Sequence, residues 1–462
     1  MTGDFEDQFD VMPEPTAATS TSSAAALTFA DFVAYAPSRM CIYLPCKAPW
    51  PNASVDKRLP AQPLLDASGN PVLNSKGKVV LIPASEWLEK NQSVEAMTWA
   101  PGEPEFVRDR LAVDGGWVPK AGVTTLNIYR PPTLDLGDAT QATRWIEHWH
   151  AIYPDDADHI IAWLASRVQH PEIKINHALL LGGAPKIGKD TLLEPIITAV
   201  GAWNFRDITL AGLISKNNEF LRGVVVRVSE ARDMGEQGRV DRYGLYDHTK
   251  TMLAAPPHTL RVNEKYLREY YIFNCFGMVV TTNHRDALYL PPDDRRHYVA
   301  FSERKTEDFT EKFWRDFWGW YKNEDGIKHV VAFLHQYDLT GFDPKASPPK
   351  TPAFWHMVSA DRGETHGELI DAIDELGFPP ALTINQLIEK APGLECLQDR
   401  KMRRAIRKRL EEAGYLVTEN PNADSGLWLI KKKRQMIYAR ADWSQSRRLE
   451  AARALQAKLN TQ

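Results

Sequence analysis

Cysteine is scarce in this chain: Cys41, Cys46, Cys275 and Cys396 are the four thiols in 462 residues. That excludes a disulfide framework and favours a reducing, cytoplasmic setting. Cys41 and Cys46 are close enough to begin a zinc site, but no second close pair of Cys or His follows them, and isolated thiols explain them better. Apolar runs of membrane-spanning length are also missing, so no membrane partner is expected. Residues 1–27 lack the basic start and apolar stretch of a signal peptide; they are acidic, rich in Ser, Thr and Ala, and read as a disordered tail. Nor is there an excess of positive charge. Lys and Arg total 56 against 60 Asp and Glu, a net charge of -4, so any nucleic-acid surface must come from local segregation of charge. Over 28–134, short apolar runs alternate with Pro and Gly, which reads as a mixed or β-rich accessory region. It has no Asp-x-Asp motif of the kind that holds two Mg²⁺ ions in primases and nucleases.

What the chain does have is the stretch from His177 to Thr191. Leu179, Leu180 and Leu181 supply a buried strand. Gly183, Ala184, Pro185, Lys186, Ile187, Gly188 and Lys189 then fit the first seven positions of G-x-x-x-x-G-K-[ST], whose glycines let backbone N–H groups wrap a phosphate while the lysine bridges its oxygens. Lys189 is expected to project from the surface rather than pack in the core. A helix from about Lys189 to Val200 would direct its N-terminus at a triphosphate. Asp190 stands where Ser or Thr usually offers a hydroxyl to Mg²⁺, with Thr191 one place later. A carboxylate is itself a hard oxygen ligand, so Asp190 can coordinate the ion directly or through water. ATP and Mg²⁺ are the expected cofactors.

Upstream, 135–170 has helical periodicity in two segments, one with Trp145, Ile146, Trp149 and Ile152, the next with Ile160, Ile161, Leu164 and Val168. His148, His150 and His159 lie near Asp155, Asp156 and Asp158, but an exposed helix face and an interhelix turn explain them as well as a metal cluster does.

Downstream, Phe220 to Ala231 is a β-branched run that terminates in Ser229 and Glu230 and suits a strand at the centre of a parallel sheet. An acid at that place can orient the attacking water and help manage Mg²⁺. Next come a strand and turn carrying Arg261, Lys265 and Arg268, suited to gripping phosphates. A further apolar strand ends in Asn283, positioned to hydrogen-bond a γ-phosphate or the water. Arg295 and Arg296 precede a last strand, where they can act on a neighbouring subunit's site or serve as surface ion-pair partners.

The order of these motifs between residues 183 and 296 resembles the superfamily III helicases of viruses, phages and mobile elements, especially the helicase part of phage-type primase-helicases. The resemblance implies that Gly183, Gly188 and Lys189 bind ATP, that Glu230 is the catalytic acid and Asn283 the sensor amide, and that Lys265 tracks DNA through a ring's pore. It implies a trans-acting arginine at Arg296 or Arg295, a homo-hexamer, 3′-to-5′ movement and a bacterial host cytoplasm. The primase would be a separate protein. An ATP-dependent DNA helicase for replication of a phage or mobile element is the leading expectation. The alternative is a DNA-binding initiator or loader that uses ATP as an assembly switch without unwinding.

Phe309, Phe313, Phe317 and Tyr321 recur at helical spacing and read as packed core rather than base-stacking groups. Residues 343–352 are proline-rich and read as a linker. Beyond it, Thr383-Ile-Asn-Gln386 makes a capping box, and a second helix from Asp399 to Gly414 has a basic outer face with Arg403, Arg404, Arg407 and Lys408. Tyr415 to Thr418 and Leu427 to Ile430 are expected to pair as a hairpin. Helix, basic helix and hairpin resemble a winged helix, whose second helix would bind duplex DNA. The expected fold class is therefore α/β: a P-loop, AAA+-type parallel sheet over 171–305, a helical segment and linker over 306–360, a winged-helix domain over 361–440 and a terminal helix over 441–462.

Overall fold

The computed structural model describes residues 27–229, 242–265, 267–285, 287–391, 407, 409–411 and 413–461. The chain forms two compact units, the first ending at Glu95 and the second running from Ala96 onward. In the first unit a four-stranded sheet has the order Ala48–Pro51, Met40–Tyr43, Phe32–Tyr35 and Ser93–Val94. Phe32, Cys41, Val55 and Leu88 are buried together in its core. Burial raises the Cys41 thiol to about 11, whereas Cys46 is exposed. Among the described residues no group of three or more His, Cys, Asp or Glu is placed to hold a metal ion. No described helix is long and apolar enough to cross a membrane.

The second unit opens with β1 (Ala96–Thr98), β2 (Phe106–Val113) and β3 (Gly116–Asn127), a three-stranded sheet in the order β1-β3-β2. Two helices follow as the periodicity predicts, α1 (Thr143–Ile152) and α2 (Ala157–Gln169). Then comes the central sheet: β4 (Ala178–Gly182), β5 (Phe205–Thr209), β6 (Val225–Ser229), β9 (Gly277–Thr282) and β10 (His297–Phe301), with α3 (Lys189–Val200) after β4 and the hairpin β7 (Thr259–Val262) and β8 (Tyr270–Phe273) between β6 and β9. Its five strands are all parallel, in the order β5-β6-β9-β4-β10. A parallel sheet covered on both faces calls for unbroken apolar strands; Leu179, Leu180 and Leu181 are accordingly fully buried, as are Val225, Val226 and Val228. The loop strand β4 lies between β9 and β10, while the chain leaving it returns to the far edge at β5. Such a reversal of strand order leaves a crevice at the carboxyl ends of the strands.

Helix α4 (Glu311–Asn323) carries most of the aromatic repeat; Phe317 and Tyr321 are buried as expected of core, with Trp320, whereas Phe313 and, just before the helix, Phe309 are only half-buried. Helix α5 (Gly326–Gln336) packs beside it. The proline-rich stretch is not a free linker. Asn176 N–H donates to Pro344 O at 2.8 Å, and Thr351 both bonds Val299 O and caps α6 (Pro352–Glu375). Prolines fix φ and remove donors, so they suit an extended strap as well as a spacer.

Near the C-terminus, β11 (Ala381–Leu382) precedes the capping box at Thr383 and Gln386, which is present and starts α7 (Ile384–Lys390). The expected hairpin pairs differently. β12 (Tyr415–Thr418) pairs with β15 (Ile437–Arg440), and β13 (Trp428–Ile430) pairs with β14 (Lys433–Gln435). A closer turn at Lys431 and Lys432 captures β13, and both lysines have positive φ, 48° and 63°. Helix α8 (Gln445–Thr461) covers this sheet, burying Ala452 with Trp428, Ile430 and Ile437. The basic helix expected from Asp399 falls largely outside the described residues, as do Arg403, Arg404 and Lys408. Arg407 is exposed and pairs with Glu411 at 3.1 Å.

Candidate nucleotide site

The loop between β4 and α3 takes the shape its glycines allow. Gly183 and Gly188 have φ of 148° and 99°, a region where a side chain is strained. A Cβ on Gly188 would also meet the Trp314 ring at 2.5 Å and His148 Nε2 at 2.6 Å.

Lys189 is not surface-facing: it is 6% exposed. Its Nζ donates to Gly183 O at 2.8 Å, Ala184 O at 2.9 Å and Asn283 Oδ1 at 2.9 Å. Desolvation lowers its pKa to about 8, with Asp190 opposing the shift. The parallel register brings the carboxyl ends of β4, β6 and β9 together, so Lys189, Ser229 and Asn283 line one cavity of about 680 Å³ with Asp190, Thr191 and Arg227. Among the sequence-picked groups, the loop, Asp190, Thr191 and Asn283 are thus at one place. Glu230 lies outside the described residues; Ser229, immediately before it, bonds Asp207 at 3.3 Å.

Sequence reasoning missed Arg227. Its guanidinium lies 3.1 Å from Asp190 and also bonds Asp207. It missed the rear support of the loop as well. His148 is buried, held at a pKa of about 4 by desolvation, so its neutral ring donates from Nε2 to Ile187 O at 2.9 Å. Tyr153 Oη donates to Gly182 O at 2.9 Å and Trp145 Nε1 to Leu192 O at 2.9 Å. His150 and His159 stand elsewhere, on Asp158 and His177. The usable signal was the helical face shared by Trp145, His148 and Trp149, which the charges beside it obscured.

Arg295 and Arg296 are at the amino end of β10, the neighbour of β4, at the opposite end of the strands from the loop. Arg295 is exposed. Arg296 is half-buried, its backbone N–H donating to Asp294 at 3.0 Å and its carbonyl accepting from Ala178 N–H at 2.8 Å. Lys265 is exposed between β7 and β8, and so are Arg261, which pairs with Glu269, and Arg268. Beneath this tip Asn218 clamps the end of β7, donating to Arg261 O at 2.9 Å and accepting from Asn263 N–H at 2.7 Å. Glu264 is fixed by Arg222 at 3.1 Å and Tyr270 Oη at 3.0 Å. The sheet β1-β3-β2 buttresses the hairpin: Thr98 bonds Tyr271 O, Gly115 N–H bonds Thr259, and the Trp117 and Phe273 rings lie 5.1 Å apart. Part of the region read as accessory is therefore built onto the hairpin.

Residues 180–296 match a family described as a family of unknown function, DUF5906. None of the curated proteins matches the chain. Among solved structures, the apo NrS-1 C-terminal region (305–718) aligns at a TM-score of 0.48 and 14% identity, covering 79% of this chain and 92% of that one. A structure of JCV helicase aligns at a TM-score of 0.27 and 13% identity, covering 52% of this chain and 66% of that one.

Proposed function

We propose that this protein is an ATP-hydrolysing DNA helicase of the superfamily III type, acting in replication of a phage or mobile element. One observation carries the reading: buried Lys189, at the base of the cavity, holds two loop carbonyls and Asn283 in a geometry ready for exchange with phosphate oxygens. The residues fit the group. Gly183 and Gly188 leave room for backbone N–H groups to approach it, α3 begins at the lysine, and Asn283 ends the adjacent strand.

In this scheme Lys189 binds the β- and γ-phosphates, Asn283 orients the terminal phosphate or the water, and Glu230 takes up the water's proton. Mg²⁺, when bound with ATP, supplies charge neutralisation across the phosphate oxygens. Asp190 would hold the ion directly or through a water, with Arg227 paired to its Oδ1. Arg296, at the opposite end of the strands from its own loop, acts on a neighbouring subunit's site in a hexameric ring. Lys265 contacts single-stranded DNA, and the C-terminal basic surface contacts duplex.

The test is ATP hydrolysis and strand displacement by the whole chain, with Lys189→Ala as control. ATP-dependent displacement that disappears in the variant is expected. Hydrolysis without displacement favours the initiator or loader reading, and wild-type turnover in Lys189→Ala removes the loop from the chemistry.

A further inference from the structure

The cavity lining is of two chemical kinds: the phosphate loop with Lys189 and Arg227, and an aromatic wall of Phe309, Trp314 and Trp318 with Glu311. Resting on the nucleotide reading above, we infer that α4 forms a nucleobase subsite in which Trp318, continued by Trp314, stacks the base and Glu311 accepts a hydrogen bond from its exocyclic amine. The substrate class is thus an amino-bearing nucleoside triphosphate, with adenine favoured over hypoxanthine.

The helix sorts its aromatic residues by face. Phe317, Trp320 and Tyr321 are buried, and Tyr321 Oη ties the helix to α3 by donating to Thr191 O at 3.0 Å. Trp314 and Trp318, one turn apart on one face, border the cavity instead. Trp314 packs beside His148 on Gly188, its ring 5.5 Å from the imidazole, so it is locked against the phosphate loop. Trp318 is further out and 36% exposed. A large indole left partly in water at a cavity mouth gains from a flat ligand that covers it. Aromatic stacking is tolerant of base identity, so discrimination falls to Glu311, a carboxylate that accepts but does not donate.

Calorimetric titration with Mg²⁺ present, using ATP, inosine triphosphate and inorganic tripolyphosphate, separates the contributions of the loop and the aromatic wall. Trp318→Ala is expected to weaken ATP about tenfold while leaving tripolyphosphate unchanged, and Trp318→Phe to recover most of the loss. Glu311→Ala is expected to erase a preference for ATP over inosine triphosphate. If wild type binds both ATP and tripolyphosphate but Trp318→Ala binds ATP normally, the subsite is wrong and the phosphate loop stands. If Glu311→Ala keeps the preference, the amine contact is wrong. If neither ligand binds wild type, the nucleotide reading itself fails.

Discussion

Arg227 Nη1 lies 3.1 Å from Asp190 Oδ1, so the residue that replaces the usual loop hydroxyl is answered by a guanidinium two strands away. The Asp190 side chain is 68% exposed, and the pair contributes less than ~1 kcal/mol to stability. Its larger effect is on the ligand. Arg227→Ala leaves Asp190 and Asp207 uncompensated at the cavity mouth, and ATP affinity should fall about tenfold. Adding Asp190→Asn should restore most of it. A double variant as weak as Arg227→Ala alone would mean that Arg227 acts on the nucleotide directly.

Lys189 gives a pH signature. Burial puts its folded pKa at about 8 against an ordinary 10.5. Below pH 8 both folded and unfolded chains hold the proton and the burial cost is fully present; it is relieved as pH rises towards 10.5, because the folded chain releases the proton first. A polyphosphate favours the ammonium form, so nucleotide binding should take up a proton above pH 8, with affinity falling towards a limit of about tenfold per pH unit. Calorimetry at pH 8.5 in two buffers of different ionisation enthalpy measures that uptake. Equal heats in both would exclude Lys189 as the phosphate contact.

Strand β10 rises about 3.3 Å per residue, which keeps Arg296 at the opposite end of the strands from its own loop. Arg296→Ala should therefore bind ATP normally and hydrolyse it far more slowly, by on the order of 10³-fold. Mixing it with Lys189→Ala subunits at fixed total protein should recover turnover, since some interfaces then hold a sound loop and a sound arginine. No recovery, with subunit exchange confirmed, moves the role to Arg295.

The Asn218 clamp predicts that Asn218→Ala loosens the hairpin without touching the cavity. Stimulation of ATPase by single-stranded DNA should fall about tenfold, as an interaction of one to two hydrogen bonds implies, and Lys265→Ala should abolish it. Full stimulation in Lys265→Ala would take the hairpin tip out of the DNA path.

What was legible in the sequence was local. The leucine run, the glycine spacing and the lysine all lie within one strand, loop and helix start, and each dictates backbone shape directly. The capping box at Thr383 and the terminal helix are local in the same way. Arg227 was illegible because its value depends on register: it is the direct Cα partner of Asp207 across β5 and β6, and no spacing along the chain announces which strands adjoin. His148 was hidden for a related reason, since the same polar letter reads as solvent-facing until a loop carbonyl is packed against it. The capture of β13 by β14 rather than β12 came from a tight turn whose two residues are both lysine, a composition that sequence rules assign to almost any other role.

That turn has a thermodynamic consequence. Left-handed backbone costs an ordinary residue about 1 kcal/mol, and two-residue hairpin loops of this kind favour Asn-Gly. The chain keeps Lys431 and Lys432 there, followed by Lys433 and Arg434, all exposed. Asn460 Oδ1 accepts from Lys431 N–H at 2.7 Å and so helps to hold the strained backbone. Heat resistance and positive charge are thus in opposition at one position: Lys432→Gly raises the melting temperature and removes a cation from the tip. A screen for thermostable variants would select against the positive charge on which the proposed duplex contact depends.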